Sequence, residues 1–132
     1  MVSIKHVRLS NSTFKAAKEP GLVVVFVGAT SGIGLGTAKA FTKNAYKPTV
    51  YLIGRSKKSA TPLLDELKAS NPEATINFIE TEISLIKNVD NATDEIKSKE
   101  KKVDILHVSP GYLSFGGRLG QFSPLFPEAT FL

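Results

Sequence analysis

A glycine-rich turn is the segment of this sequence with the clearest chemical potential. It reads Gly-Ala-Thr-Ser-Gly-Ile-Gly and lies between an apolar run and a stretch with helical periodicity. Glycines let the backbone approach a pyrophosphate closely, and the start of the next helix offers N–H groups and a positive dipole end. The turn therefore predicts a dinucleotide site, and the alternative is a tight turn used only for packing. The residues expected to contact the dinucleotide are Gly28, Thr30, Ser31, Gly32, Ile33 and Gly34.

A basic segment after the second predicted strand is the next candidate. Arg55, Ser56, Lys57 and Lys58 follow one another there, with no acidic residue among them. In dinucleotide sites an acid at this place binds the ribose 2′-hydroxyl, whereas an arginine accepts a 2′-phosphate. Arg55 offers a planar fork of donors, and the hydroxyl of Ser56 adds another. The segment therefore favours NADP(H) over NAD(H), and the alternative is a solvated basic loop that opens a helix.

Composition and residue types exclude several other functions. The chain has 132 residues and a net charge of +5, and it contains no cysteine and two histidines. Disulfides and a cysteine nucleophile are thereby excluded, and two histidines alone make no convincing metal site. The basic residues are scattered and no apolar run reaches membrane length, so we expect neither nucleic acid nor a membrane as a partner. The lack of cysteine suits a reducing compartment, and we expect a cytoplasmic location.

Alternating strand and helix patterns must position the two candidate segments. Branched and aromatic runs predict strands at 22–27, 49–53, 75–79 and 103–108. Three helices are predicted between them: one from Leu35, one capped by Thr61 with Pro62 at its first position, and one capped by Ser84. The expected inner face of the last helix comprises Ile86, Val89, Ala92 and Ile96.

This order predicts an α/β fold. Helices between successive apolar strands give right-handed crossovers, and hence a doubly wound parallel sheet. We expect a partial Rossmann fold over residues 21–117, with four strands in the order 3-2-1-4 and three crossover helices. Residues 1–20 are basic and read as an N-terminal arm with a helical turn near 12–18, or as a targeting segment. Residues 118–132 read as an irregular tail.

The glycine spacing resembles that of the short-chain dehydrogenase/reductase family, Gly-x-x-x-Gly-x-Gly. Glu82-Ile83-Ser84 is similar to the family's Asp-Leu-Ser/Thr segment, which lies against the adenine. Residues 103–111, VDILHVSPG, are similar to its Leu-Asp-x-Leu-Val-Asn-Asn-Ala-Gly segment on strand four. The opening stretch is similar to fungal members associated with secondary metabolism. This resemblance adds Glu82, Ile83, Ser109 and Gly111 to the expected cofactor-binding residues.

The resemblance implies hydride transfer between NADP(H) and a small carbonyl or alcohol substrate, in a biosynthetic pathway. The family's catalytic unit is a serine with Tyr-x-x-x-Lys, in which tyrosine is the general acid. Tyr46, Tyr51 and Tyr112 all lack a lysine four residues later, so no catalytic residue is expected and the chain reads as a truncated member. The alternatives are an inactive nucleotide-binding remnant, a partner-binding protein, and a half-enzyme that associates with another chain through the exposed edge of the fourth strand.

Overall fold

Four parallel strands and four helices make up the part of the chain that the computed structural model describes, residues 1–16 and 21–111. The predicted tail at 118–132 and Tyr112 lie outside these residues. The elements are α1 (Ile4–Ala16), β1 (Val23–Val27), α2 (Gly32–Asn44), β2 (Thr49–Gly54), α3 (Lys57–Ser70), β3 (Thr75–Glu80), α4 (Ile86–Lys99) and β4 (Ile105–Val108).

The strands form one sheet in the order β3-β2-β1-β4, which confirms the predicted α/β fold and its strand order. Every pairing is parallel; Val24 of β1, for example, lies between Val50 of β2 and Ile105 of β4. Strand β1 has a continuous apolar sequence, as expected for a central parallel strand that is covered on both faces. The parallel arrangement brings the carboxyl ends of all four strands to one edge of the sheet, where the segments that carry the predicted site residues begin.

Helices α2 and α3 cover one face of the sheet. Ala38 of α2 and Leu67 of α3 are buried there against Phe26, Val50 and Leu52. Each large apolar side chain buried in this way contributes about 1.5–3 kcal/mol to stability. The opposite face is covered by α4, since the connection from β3 to β4 crosses the sheet as a right-handed crossover.

A second hydrophobic cluster lies on the α4 face of the sheet, and α4 contributes fewer buried residues to it than its helical periodicity predicts. Ala92 and Ile96 are buried against strand residues such as Val25. Ile86 is 80% exposed and Val89 is also exposed, so the expected inner face of this helix is wrong in its first half. The N-cap is Leu85 rather than Ser84. Helical spacing shows which residues share a face, but only the second half of α4 lies over the core.

The start of α3 also differs from the prediction. The helix begins at Lys57, where the hydroxyl oxygen of Ser56 accepts a hydrogen bond from the Ser59 N–H at 3.3 Å. Thr61 and Pro62 therefore lie inside the helix. Thr61 donates its hydroxyl to the Lys57 carbonyl at 3.0 Å. Pro62 removes one helical hydrogen bond on an exposed face, which the helix tolerates near its start.

Helix α1 is longer than the predicted helical turn and begins earlier. Its first turn forms where the Ser3 carbonyl accepts hydrogen bonds from the N–H groups of His6 and Val7. The Phe14 ring lies 6.5 Å from the Phe41 ring of α2, so α1 rests on the outside of the α2 layer. Among the described residues, no helix is long and apolar enough to cross a membrane.

Candidate functional site

The carboxyl ends of β1, β2 and β4 bring most of the predicted site residues to one edge of the sheet. The glycine turn, residues 28–34, follows β1, the basic segment at 55–58 follows β2, and Ser109 follows β4. From β1 the chain continues to β2 and β3 on one side of that strand, whereas β4 pairs with the other side of β1. This is a topological switch point, where open α/β sheets bind their ligands.

Gly28 packs directly against the segment that leaves β4. Its φ is +78°, and a Cβ added there would lie 2.7 Å from the nitrogen of Pro110. The Ser109 N–H donates to the Val27 carbonyl at 2.9 Å, and the Ser109 hydroxyl donates to the Gly28 carbonyl at 3.4 Å. The structure thus places the Ser109 hydroxyl on the glycine turn itself, where it holds the turn against the end of β4.

The other two glycines of the motif have contrasting surroundings. A Cβ on Gly34 would lie 2.6 Å from both the Gly28 carbonyl oxygen and the Ser109 hydroxyl. Gly32 has a φ of +59°, yet a Cβ there would meet nothing within 4 Å. At Gly28 and Gly34 the lack of a side chain therefore permits close packing, so the packing role considered for the turn applies to these two glycines. Gly32 leaves open space in front of the turn, and a side chain would fill this cradle.

The N-terminus of α2 faces that space. Ser31 is the N-cap, with an extended φ of −155°, and its side chain makes no capping hydrogen bond. The helix begins at Gly32, before the predicted start at Leu35, because the Ser31 carbonyl already accepts the Leu35 N–H at 3.2 Å. Ile33 and Thr30 are exposed. The first N–H groups of a helix have no partner within it, so this end can bind an anion.

The basic segment lies close to the glycine turn. A Cβ on Gly54 would lie 3.1 Å from the Thr30 methyl group, so the turn touches the end of β2. Ser56 accepts from the Ser59 N–H and from the Ser59 hydroxyl at 3.2 Å, which leaves its own proton available for donation. In the part of the chain that the structure describes, the ion pairs do not involve Arg55, Lys57 or Lys58. Within residues 1–16 and 21–111, no carboxylate therefore pairs with the positive charge at the start of α3.

The segment after β3 is engaged with its own loop and with the core. Glu82 accepts the Ser84 N–H at 3.4 Å with its carboxylate, and its carbonyl accepts the Asn88 side-chain amide at 2.8 Å. Ile83 is half-buried against the α4-side core. Gly111 is exposed, with a φ of +153°. These three residues are less directly joined to the glycine turn than Ser109 is.

Asp104 was not singled out from the sequence, yet it aligns β4 with β1. Its carboxylate accepts the Val23 N–H at 2.9 Å and the Lys102 ammonium at 2.7 Å. The Lys102 hydrogen bond, together with that from Val23, lowers the pKa of Asp104 below its ordinary value. Regular strand pairing starts only at Ile105, two residues later than predicted, because the Asp104 side chain takes the first N–H of β1. The sequence signal for this role was the single acidic residue, Asp104, at the start of an apolar run.

The described tyrosines lie away from the glycine turn. Tyr51 is 2% exposed on β2, and its hydroxyl donates to the Glu100 carboxylate at the end of α4 at 2.8 Å. Burial, together with Glu100, raises the pKa of Tyr51 to about 12. Tyr46 lies beside Lys47, between α2 and β2. Over residues 1–16 and 21–111, there is no group of three His, Cys, Asp or Glu side chains that could hold a metal ion.

Comparison with known proteins decides the family. Residues 22–128 match the family model described as short chain dehydrogenase. The chain belongs to the short-chain dehydrogenase family. This match confirms the family resemblance seen in the glycine spacing, and it begins just before β1, so that α1 lies outside the matched residues.

The curated relatives of this short-chain dehydrogenase include fungal oxidoreductases, as the opening stretch led us to expect. An oxidoreductase of Emericella nidulans is 42% identical over 118 residues, which cover 89% of this chain and 35% of that protein. The NmrA-like family domain-containing oxidoreductase notO of an Aspergillus species is 41% identical over 132 residues, covering 98% and 40%. The chain therefore spans less than half the length of these relatives.

Solved structures show the same fold. The L-sorbose reductase of Gluconobacter frateurii, in a complex with NADPH and L-sorbose, is 26% identical with a TM-score of 0.64, over 71% of this chain and 35% of that one. The bulky-bulky ketone specific alcohol dehydrogenase of Comamonas testosteroni has the same TM-score at 20% identity, over 78% and 41%. The second likeness concerns the fold alone.

Proposed function

We propose that this short-chain dehydrogenase binds NADP(H) between the glycine turn and the basic segment, with residues 21–117 as the nucleotide-binding domain. One observation carries the proposal: the open cradle at Gly32 lies next to cations that have no ionic partner among the described residues. Support comes from the L-sorbose reductase structure, which contains NADPH. The corresponding reaction is hydride transfer between NADP(H) and a small carbonyl or alcohol compound.

The residues present fit the charged parts of this cofactor. The pyrophosphate would face the N-terminus of α2, where the Ser31 hydroxyl and the first helical N–H groups can donate to it. Arg55 and the Ser56 hydroxyl would hold the 2′-phosphate, assisted by the positive end of α3. When bound, the nicotinamide supplies or accepts the hydride. Ser109 would act as a positioning residue, because its hydroxyl orients the glycine turn rather than facing outward.

Measurement of the dissociation constants for NADPH and NADH tests this assignment. The wild-type chain should bind NADPH at least about tenfold more tightly, since a hydrogen bond between charged groups contributes ~1.5–3 kcal/mol. Arg55→Asp should remove or reverse that preference, because the carboxylate repels a phosphate and accepts a ribose hydroxyl. Arg8→Asp, with the same change of charge on α1, should leave the preference unchanged. Equal dissociation constants in the wild-type chain would contradict the proposal.

A second candidate function is nucleotide binding without unaided turnover. Its support is the placement of Tyr51, whose buried hydroxyl donates to Glu100, together with a sequence that contains no Tyr-x-x-x-Lys. Incubating the purified chain with NADPH and a panel of carbonyl compounds separates the two functions. On the second function, NADPH consumption should stay at background. Consumption well above background that is lost in Tyr112→Phe would rule this function out and identify an acid outside the family pattern.

The exposed edge of β4 is the basis for a proposed partner. Leu106 is 63% exposed and Val108 is 58% exposed, although three of the four residues of this strand are apolar, the exception being His107. Strands with that composition are normally covered on both faces. We propose that a further polypeptide segment, from this or another chain, pairs with β4. A biosynthetic role in the cytoplasm is proposed on the resemblance to fungal secondary-metabolism members and the absence of cysteine.

A further inference from the structure

Helix α1 presents a face that points away from the rest of the molecule. A helix turns by 100° per residue, so Ile4, Lys5, Arg8, Leu9 and Ser12 share one side. The opposite side carries Phe14, whose ring lies against Phe41 of α2. Exposure agrees with this orientation, because Ile4 and Leu9 are 67% and 66% exposed while Phe14 is 39% exposed. We call the first set the outer face of α1.

The charge of this segment has one sign. Residues 1–16 contain three basic side chains and no acidic one. Lys5 and Arg8 lie on the outer face between the exposed apolar side chains of Ile4 and Leu9. Their long aliphatic stems allow the charged ends to reach outward while apolar neighbours are buried. The outer face therefore complements a surface that is negatively charged and apolar just beneath.

Three polar side chains of α1, those of His6, Ser12 and Thr13, have hydrogen-bond partners in or next to the helix. The hydroxyl groups of Ser12 and Thr13 both donate to the Leu9 carbonyl, at 2.8 and 2.6 Å. The Ser3 hydroxyl lies 3.0 Å from Nδ1 of His6. A polar group that already has a partner loses less free energy when water is removed from around it. This arrangement lowers the cost of placing α1 in a partly dehydrated environment.

We propose that the outer face of α1 binds the anionic surface of a phospholipid membrane. A short basic helix with exposed apolar side chains can lie in the plane of the headgroups, and such binding is weak and reversible. Phe14 contacts Phe41 in the last turns of α2, whereas the glycine turn lies at the start of that helix, so docking through α1 leaves the nucleotide edge accessible. The proposal departs from the sequence-based expectation of no membrane partner, because that expectation did not include a helix at residues 4–12.

Sedimentation of the full chain with lipid vesicles tests the proposal. Vesicles of phosphatidylcholine with about one-third phosphatidylserine should bind the protein at low salt, and pure phosphatidylcholine should not. Each Lys or Arg near an anionic surface contributes about fivefold in affinity. Lys5→Glu combined with Arg8→Glu should therefore weaken binding by at least about 25-fold. Binding of the wild-type chain should also fall sharply in 0.5 M salt, where charges are screened over ~4 Å.

Matched variants separate a specific face from overall charge. Lys87→Glu combined with Lys101→Glu changes net charge by the same amount at exposed positions far along the chain, and it should retain most of the binding. Ile4→Ser combined with Leu9→Ser should weaken binding without changing charge. Circular dichroism verifies that each variant is folded. Equal binding to neutral vesicles, equal loss in both charge variants, or binding to polyglutamate but not to vesicles would each overturn the proposal.

Discussion

Gly28 and Gly34 pack against the end of β4, whereas Gly32 faces open space. The turn itself was predictable from its position between an apolar run and a helix, and a dinucleotide site there stays a prediction. Sequence reasoning could not assign separate roles to the three glycines, because those roles depend on Ser109 and Pro110. These residues approach the turn only after the chain has crossed the sheet and paired β4 with β1.

Substitution of Gly34 by alanine should destabilise the fold. The added Cβ would lie 2.6 Å from the Gly28 carbonyl oxygen, which belongs to the backbone and cannot turn aside. Overpacking of this kind costs about 1–3 kcal/mol, and urea unfolding should show a loss at the upper end of that range. Gly36→Ala is the matched control, since a Cβ there meets nothing within 4 Å. That control should be neutral or slightly stabilising.

Substitution of Gly32 by alanine should act mainly on nucleotide binding. Its φ of +59° makes an L side chain cost about 1–2 kcal/mol, and the new Cβ would enter the open cradle. We expect NADPH affinity to fall at least about tenfold while the cooperative unfolding transition is retained. Gly36→Ala again serves as the control and should titrate with NADPH as the wild-type chain does. Unchanged NADPH binding in Gly32→Ala would mean that the turn serves packing alone.

At the scale of elements, the sequence predicted every strand and the three crossover helices, but some boundaries were wrong. Ser56 and Thr61 are both good capping residues, and local preference does not choose between them. The choice follows from β2, which ends at Gly54 where its pairing with β3 ends at Glu80. The start of α1 was missed for a related reason. Its residues show no sustained apolar stripe, and the helix is supported by local hydrogen bonds and by Phe14 against Phe41.

The contact between β2 and α4 predicts a specific alkaline response. The pKa of Tyr51 is about 12 in the folded chain, above the ordinary value near 10, because of burial and the hydrogen bond to Glu100. The folded state therefore holds the tyrosine proton more tightly. The resulting stabilisation is present below pH 10 and is lost as pH rises to about 12. The unfolding free energy of the wild-type chain should fall more steeply over this interval than that of Tyr51→Phe. Parallel curves for the two proteins would show that Tyr51 does not contribute.

At the scale of the whole molecule, the sheet is well covered in its middle and open at β4. Val25 of β1 is buried, whereas its ladder partner Leu106 on β4 is exposed, as is Val108 two residues further along the same strand. Apolar edge strands with unpaired backbone groups are known sites of association. The sequence alone could predict this edge, since its residues are typical of an interior strand. It could not predict the extent of exposure, which depends on how little of β4 lies under α4.

The open edge should make the purified chain self-associate. Sedimentation velocity at tens of micromolar should show species larger than a monomer, and Leu106→Lys combined with Val108→Lys should reduce them, because charge on an edge strand opposes pairing. The control variant Ile4→Lys removes a side chain of similar exposure on α1 and should associate as the wild-type chain does. A monodisperse wild-type monomer would contradict the prediction.

The strand order also has a consequence for how the chain acquires its structure. Val24 pairs with Val50 and with Ile105, so the second pairing closes a loop roughly three times longer. On polymer grounds that closure costs about 1 kcal/mol more. The β1–β2–β3 unit, with α2 and α3, should therefore form first as the chain leaves the ribosome, and β4 should join later. Because Ser109 and Pro110 hold the glycine turn, a nucleotide can stabilise only the finished assembly and cannot act as a template for its early stages.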